Sequence, residues 1–218
     1  MLDLASGSFK LVGTFTFNKN DGYVTDIAAN QIGSLYAVTF DDLFSCNDKT
    51  ASCTWLAALP GTFNGLTFIP EGVVDPLNES LIGVGETGAW NHIQFKNGKA
   101  NIVKLGQYGG GWLSSGDAFS VVGIGTYATL KGKGSSDSLA EIDPNTGAIK
   151  QIVGETGATG LFGLAWWNGV FYAFSSSGTV YTLDVTTGKA TPVSGIATPK
   201  GAKWWGAGVS TRAAGFGS

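Results

Sequence analysis

Gly163-Leu164-Ala165, Phe171-Tyr172-Ala173, Tyr181-Thr182-Leu183-Asp184-Val185-Thr186-Thr187-Gly188 and Lys189-Ala190-Thr191-Pro192-Val193 follow one another closely and read as four short β-strands. The second ends on an aromatic-alanine pair. The third runs into an Asp-x-x-Thr-Gly turn, where aspartate opens a hairpin and glycine closes it in the left-handed region. Proline in the fourth is tolerable only on an outer edge, so the unit has a direction, from an inner first strand to an outer fourth.

The same unit recurs. The aromatic-alanine marker appears as Leu35-Tyr36-Ala37, Thr126-Tyr127-Ala128 and Phe171-Tyr172-Ala173, with Ile82-Gly83 in the vacant place. Marker positions 36, 82, 127 and 172 are separated by 46, 45 and 45 residues. Before each stands a small, apolar inner strand: Asp26-Ile27-Ala28, Gly65-Leu66-Thr67, Asp117-Ala118-Phe119, Gly163-Leu164-Ala165 and, last, Gly206-Ala207-Gly208. Glu141-Ile142-Asp143-Pro144-Asn145-Thr146-Gly147 repeats the third strand and its turn, and Asn97-Gly98 supplies the turn of the second unit. Four antiparallel strands at such a period are the pattern of propeller blades, whose radial packing leaves only short exposed edges. The expected fold is therefore all-β, a single five-bladed β-propeller over residues 1–218. Leu2-Asp3-Leu4-Ala5-Ser6-Gly7 reads like Leu183–Gly188, so the chain starts inside a third strand, and Phe9-Lys10-Leu11-Val12-Gly13 is a fourth. Trp205 to Ser210 supplies the matching first strand, with a weak second strand reaching Phe216. The last blade is thus composite, about 1–13 plus 203–218, and residues 2–12 are expected to pair with 205–216.

Thirty-four glycines, six prolines and a 12% aromatic share fit many tight turns between half-buried strands. Thirteen basic against sixteen acidic residues, without a basic run, give no field that would hold a phosphate backbone, so nucleic acid is not an expected partner. No apolar stretch is long enough to enter and cross a bilayer as a helix. Met1-Leu2-Asp3-Leu4 is no signal peptide; Met1, the only methionine, fits a start codon set before an excised domain, with any targeting segment lying elsewhere. Cys46 and Cys53 flank a polar six-residue insert that a disulfide could tie into a hairpin, implying an extracellular or cell-surface setting; two free thiols are the alternative.

The Asp-x-x-Thr-Gly turns resemble those of bacterial extracellular propeller domains, and Leu35-Tyr36-Ala37-Val38 is similar to the tachylectin type of five-bladed lectin. These residues are core and turn chemistry, so the resemblance implies fold rather than ligand.

In propellers, the loops from outer to next inner strand and those from second to third strand share the channel mouth. The former bring Tyr23, Phe63 with Asn64, Trp112, Phe162 and Trp204-Trp205 to that face, a ring of aromatic surfaces suited to a sugar or a peptide. Core wedging between blades is the other reading of these rings. Asp26 and Asp117 hold equivalent positions and could share a calcium ion, which wants six to eight oxygens, or else cap backbone amides. Asp41, Asp42 and Glu86 add negative charge at the mouth, answered by Lys131 and Lys133. Gly83-Val84-Gly85-Glu86-Thr87-Gly88 has dinucleotide-fingerprint spacing, but an alternating strand follows where a phosphate site needs a helix N-terminus. His92, the sole histidine, lacks a nucleophile elbow or an evident serine partner. The expected function is non-catalytic binding at the mouth, carbohydrate ahead of peptide. Two alternatives stand beside it: a calcium-dependent lactonase- or esterase-like hydrolase, and a purely structural or self-associating surface module.

Overall fold

The computed structural model describes residues 2–3, 6–19, 23–196 and 198–213, and in these the regular structure is all β. The expected strand residues at 4–5 and 214–216 lie outside that set. A hairpin of β1 (Leu2–Asp3) and β2 (Ser8–Phe9) and a short β3 (Thr16–Phe17) precede the first repeat. Four antiparallel meanders follow: β4 (Asp26–Ala29) to β7 (Ser52–Ala58) through β5 (Leu35–Val38) and β6 (Asp42–Cys46); then β8 (Phe63–Ile69), β9 (Ser80–Gly85), β10 (Ala89–Lys96) and β11 (Lys99–Gln107). The third comprises β12 (Leu113–Val121), β13 (Gly125–Lys131), β14 (Ser138–Ile142) and β15 (Ile149–Glu155), and the fourth β16 (Leu161–Trp167), β17 (Val170–Ser175), β18 (Val180–Leu183) and β19 (Ala190–Pro192). The first two meanders merge into one sheet through a single parallel pair, Ala58 with Lys99, and β3 adds to β7 in parallel at Thr16 with Ser52 and Phe17 with Cys53.

The repeat marker is a packing device. Ala37, Ala128 and Ala173 are all fully buried on second strands, facing first strands of their own unit. In the second unit the place falls to Gly83, because the rings and methyls of Phe63 and Ile93 already fill it; a Cβ there would lie 2.6 Å from Phe63 and 2.8 Å from Ile93. The aspartate turns form as read. Asp184 Oδ1 accepts the Thr186 and Thr187 amides at 2.8 and 2.9 Å, and Gly188 sits at φ +77°. Asn47 does the same for Lys49 and Thr50 in the first unit, with Ala51 in the left-handed place, and the disulfide Cys46–Cys53 joins directly opposed residues of β6 and β7.

Neighbouring units interlock turn against outer strand. A Cβ on Gly188 would strike Gly154 of the third unit, and one on Gly154 would strike Thr187. The same relation holds at the chain ends: Gly7, closing the β1–β2 turn at φ +64°, sits against the carbonyl of Gly195, and Gly13 abuts the carbonyl of Thr50. Residues 202–209 run without a ladder among the described residues, apart from one parallel bridge of Ser210 with Ala29. Of the expected strand pairing of 2–12 with 205–216, no ladder is present among the described residues, and there the two ends meet by side-chain contact. Phe9 packs on Trp204 with ring centroids 4.4 Å apart, and Trp204 Nε1 donates to Gly178 O at 3.1 Å. Trp204-Trp205-Gly206-Ala207-Gly208 combines bulk with glycine, a composition for wedging rather than for a regular strand.

Candidate functional site

The inner segments approach one another closely enough to exclude side chains. A Cβ on Gly65 would lie 2.5 Å from Gly116 O, one on Gly116 2.9 Å from Phe162 Cα, one on Gly163 3.0 Å from the Gly206 carbonyl carbon, and one on Gly206 2.8 Å from Asp26 Cα. The equivalent positions are therefore Asp26, Gly65, Asp117, Gly163 and Gly206, two aspartates filling the space that three glycines leave.

Both aspartates are fully buried. Asp26 accepts the Ile27 amide at 2.8 Å and, across the unit boundary, the Leu66 amide at 2.6 Å. Asp117 accepts Ala118 N at 2.6 Å and Leu164 N at 2.5 Å, and the backbone of Gly206, next to Ala207, packs against Asp26. The two carboxyls are close enough to influence each other: burial pushes both well above the usual carboxylate range, and for Asp26 the neighbouring Asp117 charge adds to it. Every carboxylate oxygen is thus committed to an amide, and among the described residues no three His, Cys, Asp or Glu side chains converge. Calcium needs six to eight oxygens, and this pair does not fit it. Of the two roles open to Asp26 and Asp117, the geometry assigns amide capping.

Above this pair lies a cavity of about 240 Å³ lined by Thr25, Phe40, Thr62, Asn64, Glu86, Ser115, Gly116, Lys131, Phe162 and Trp205. Five of these, Thr25, Asn64, Gly116, Phe162 and Trp205, immediately precede the five equivalent inner positions. Three of them arise at register shifts in first strands, between Phe63 and Gly65, Ser114 and Ala118, and Leu161 and Gly163. Such bulges re-aim side chains toward a rim. Trp205 is 58% exposed and stacks on Phe162, centroids 5.7 Å apart at 25°. Lys131 Nζ and Glu86 Oε1 pair at 3.5 Å across the second-to-third-strand loops.

Of the residues expected at the mouth, Asn64, Phe162, Trp205, Glu86 and Lys131 line this cavity, and Tyr23, Phe63, Trp112, Trp204, Asp41, Asp42 and Lys133 do not. Phe63 is buried core beside Leu66 and Ile93. Trp112 packs on the core near Trp90 with Lys133 Nζ 5.5 Å from its ring, Trp204 borders a separate groove with Phe9, and Tyr23 is 89% exposed. Asp42 does not add charge to the face: it is buried, accepting Trp55 Nε1 at 2.5 Å and pairing with Lys19. His92 lies on β10 outside the cavity, its imidazole pushed below its ordinary range by partial burial. Phe40, Thr25 and Ser115 are lining residues that the loop-by-loop search for aromatics passes over.

No protein-family model matches the chain, and no characterised protein matches it in sequence. Among solved structures, BamB from Moraxella catarrhalis is 15% identical over 77% of this chain and 51% of its own, with a TM-score of 0.43. A symmetrical protein whose de novo evolutionary emergence was shaped by folding constraints is 18% identical over 89% of this chain and 81% of its own, TM-score 0.50. The fold is all-β and propeller-like. Sqt1 from Chaetomium thermophilum is 16% identical over 78% and 45%, TM-score 0.40. The chain spans about half the length of BamB and less than half of Sqt1. At these identities the likeness is one of fold alone.

Proposed function

We propose that the chain is a five-bladed propeller, its fifth blade shared by both ends, that binds a carbohydrate ring at the mouth cavity without catalysis. The carrying observation is that one cavity gathers the residue preceding each of the five equivalent inner positions and floors it beneath an exposed, stacked tryptophan. The interlocking of Gly7 with Gly195 and of Gly13 with Thr50, on the pattern of Gly188 with Gly154, supports a fifth blade built from both ends. An indole face with polar neighbours offers contact area and directional bonds at small entropic cost, which suits a sugar ring. The volume, a little under the roughly 300–1,000 Å³ of drug-sized sites, fits a single ring better than a peptide. The buried disulfide supports an extracellular or cell-surface setting.

The test is a glycan array followed by titration of the best binder. Trp205→Ala is expected to weaken binding at least tenfold with melting temperature unchanged within a few degrees, because the ring is mostly in solvent. Unchanged affinity, or an array on which no glycan binds, would remove the reading.

A further inference from the structure

Three oxygens of the mouth cavity have their hydrogen-bonding sense set by what lies behind them. Thr25 Oγ1 spends its one proton inward, on the carbonyls of Val38 at 3.2 Å and Phe63 at 3.1 Å. Ser115 Oγ donates to Asp137 Oδ2 at 2.6 Å, and that carboxyl also accepts the Leu161 amide. Both hydroxyls are left with lone pairs only. Asn64 Oδ1 is buried and has no partner, an acceptor whose desolvation is uncompensated until a donor arrives. These three oxygens of the cavity floor are therefore acceptors.

Carboxyl groups stand behind this floor. The Asp26–Asp117 pair is buried directly behind Thr25 and Gly116. Asp137 stands behind Ser115. The charges that line the cavity itself, Lys131 and Glu86, are paired with each other, so the lysine is not an open anion site.

Resting on the carbohydrate reading above, we infer that the mouth selects a neutral pyranose presenting a row of hydroxyl donors to Asn64, Thr25 and Ser115, with its apolar face on Trp205, and rejects acidic sugars. A carboxylate-bearing ring would set lone pair against lone pair on the three floor oxygens, whereas hydroxyls supply the missing protons. Asn64 is then a specificity residue, reading the ligand edge where Trp205 reads its face.

Methyl glycosides of neutral pyranoses and the corresponding uronates, titrated against the whole chain at pH 7 in low and moderate salt, separate the possibilities. The neutral series is expected to bind at least tenfold more tightly at both salt concentrations, because the mismatch is one of lone pairs at contact. Asn64→Leu, close in size and without an acceptor, is expected to weaken the neutral series about tenfold and the uronates little. Uronates binding as tightly as neutral rings, or an Asn64→Leu chain of unaltered melting temperature that binds neutral rings like the parent, would overturn the inference while leaving the mouth as a sugar site. Binding of neither series would overturn the inference and the carbohydrate reading together.

Discussion

Asp117→Ala is expected to lower the unfolding free energy by roughly 2–6 kcal/mol. The substitution strips the acceptor from the amides of Ala118 and Leu164 in a fully buried place, and each orphaned buried donor costs about 1–3 kcal/mol. Asp117→Asn keeps one acceptor oxygen and is expected to cost about half as much. Urea denaturation of the three chains measures this, and an alanine chain within 1 kcal/mol of the parent would refute it. The pH dependence follows from the same pair. A folded-state carboxyl held above its unfolded value of about 3.9 binds a proton that the unfolded chain has released. Its stabilisation is complete below that unfolded value and is lost as pH rises through the raised folded value. Asp137, raised mainly by burial, acts in the same direction, while His92, lowered mainly by burial, opposes it around its unfolded value of about 6.5. The contribution of the pair is therefore read as the difference between the parent and Asp26→Asn. The parent is expected to lose stability relative to that variant as pH rises above the unfolded value of about 3.9, and a parallel pair of curves would contradict raised folded-state carboxyls.

Removal of residues 1–12 is expected to destabilise the whole molecule in one cooperative step, by about 3 kcal/mol or roughly 6–12 °C. The deleted piece carries Phe9, which packs on Trp204, and Gly7, which seats against Gly195. Without Phe9, the segment that holds Trp204, Trp205 and the glycines beside Asp26 loses one wall, so loss of sugar binding should accompany the loss of stability. Calorimetry of the truncated chain showing the parent transition, with only a shallow local pre-transition, would mean that the ends are ornament rather than closure.

Much of this was legible before any coordinates. Marker spacing located the four meanders, and the Asp184 and Asp143 turns announced their own geometry, because turn chemistry is local and a bonded side chain fixes it. The closing segment was harder. Gly206-Ala207-Gly208 matches the inner strands in composition, yet it docks by close backbone approach without a ladder, and no local pattern distinguishes these outcomes. Four of the expected aromatic residues, Tyr23, Phe63, Trp112 and Trp204, lie outside the cavity, two of them for a related reason. Choosing the nearest aromatic in each loop selected Phe63, which is core, and Trp112, which packs near Trp90, whereas the residue just before each repeat-equivalent position selects Thr25, Asn64, Gly116, Phe162 and Trp205 together. Register in the repeat carried that information, and residue type obscured it. The roles of Asp26 and Asp117 were likewise open, because two carboxyls at equivalent positions look the same whether they hold an ion or a set of amides.

The central claim is that five inner segments, one of them from the C-terminal part of the chain, are gathered on a single buried carboxyl pair. Amide hydrogen exchange under native conditions addresses it residue by residue. The account predicts that Ala207 N–H, beside the Gly206 backbone packed on Asp26, exchanges with the same free energy as the Ile27, Leu66, Ala118 and Leu164 amides, all opening only with global unfolding, although Ala207 belongs to no strand ladder. Exchange of Ala207 orders of magnitude faster than the other four would contradict it.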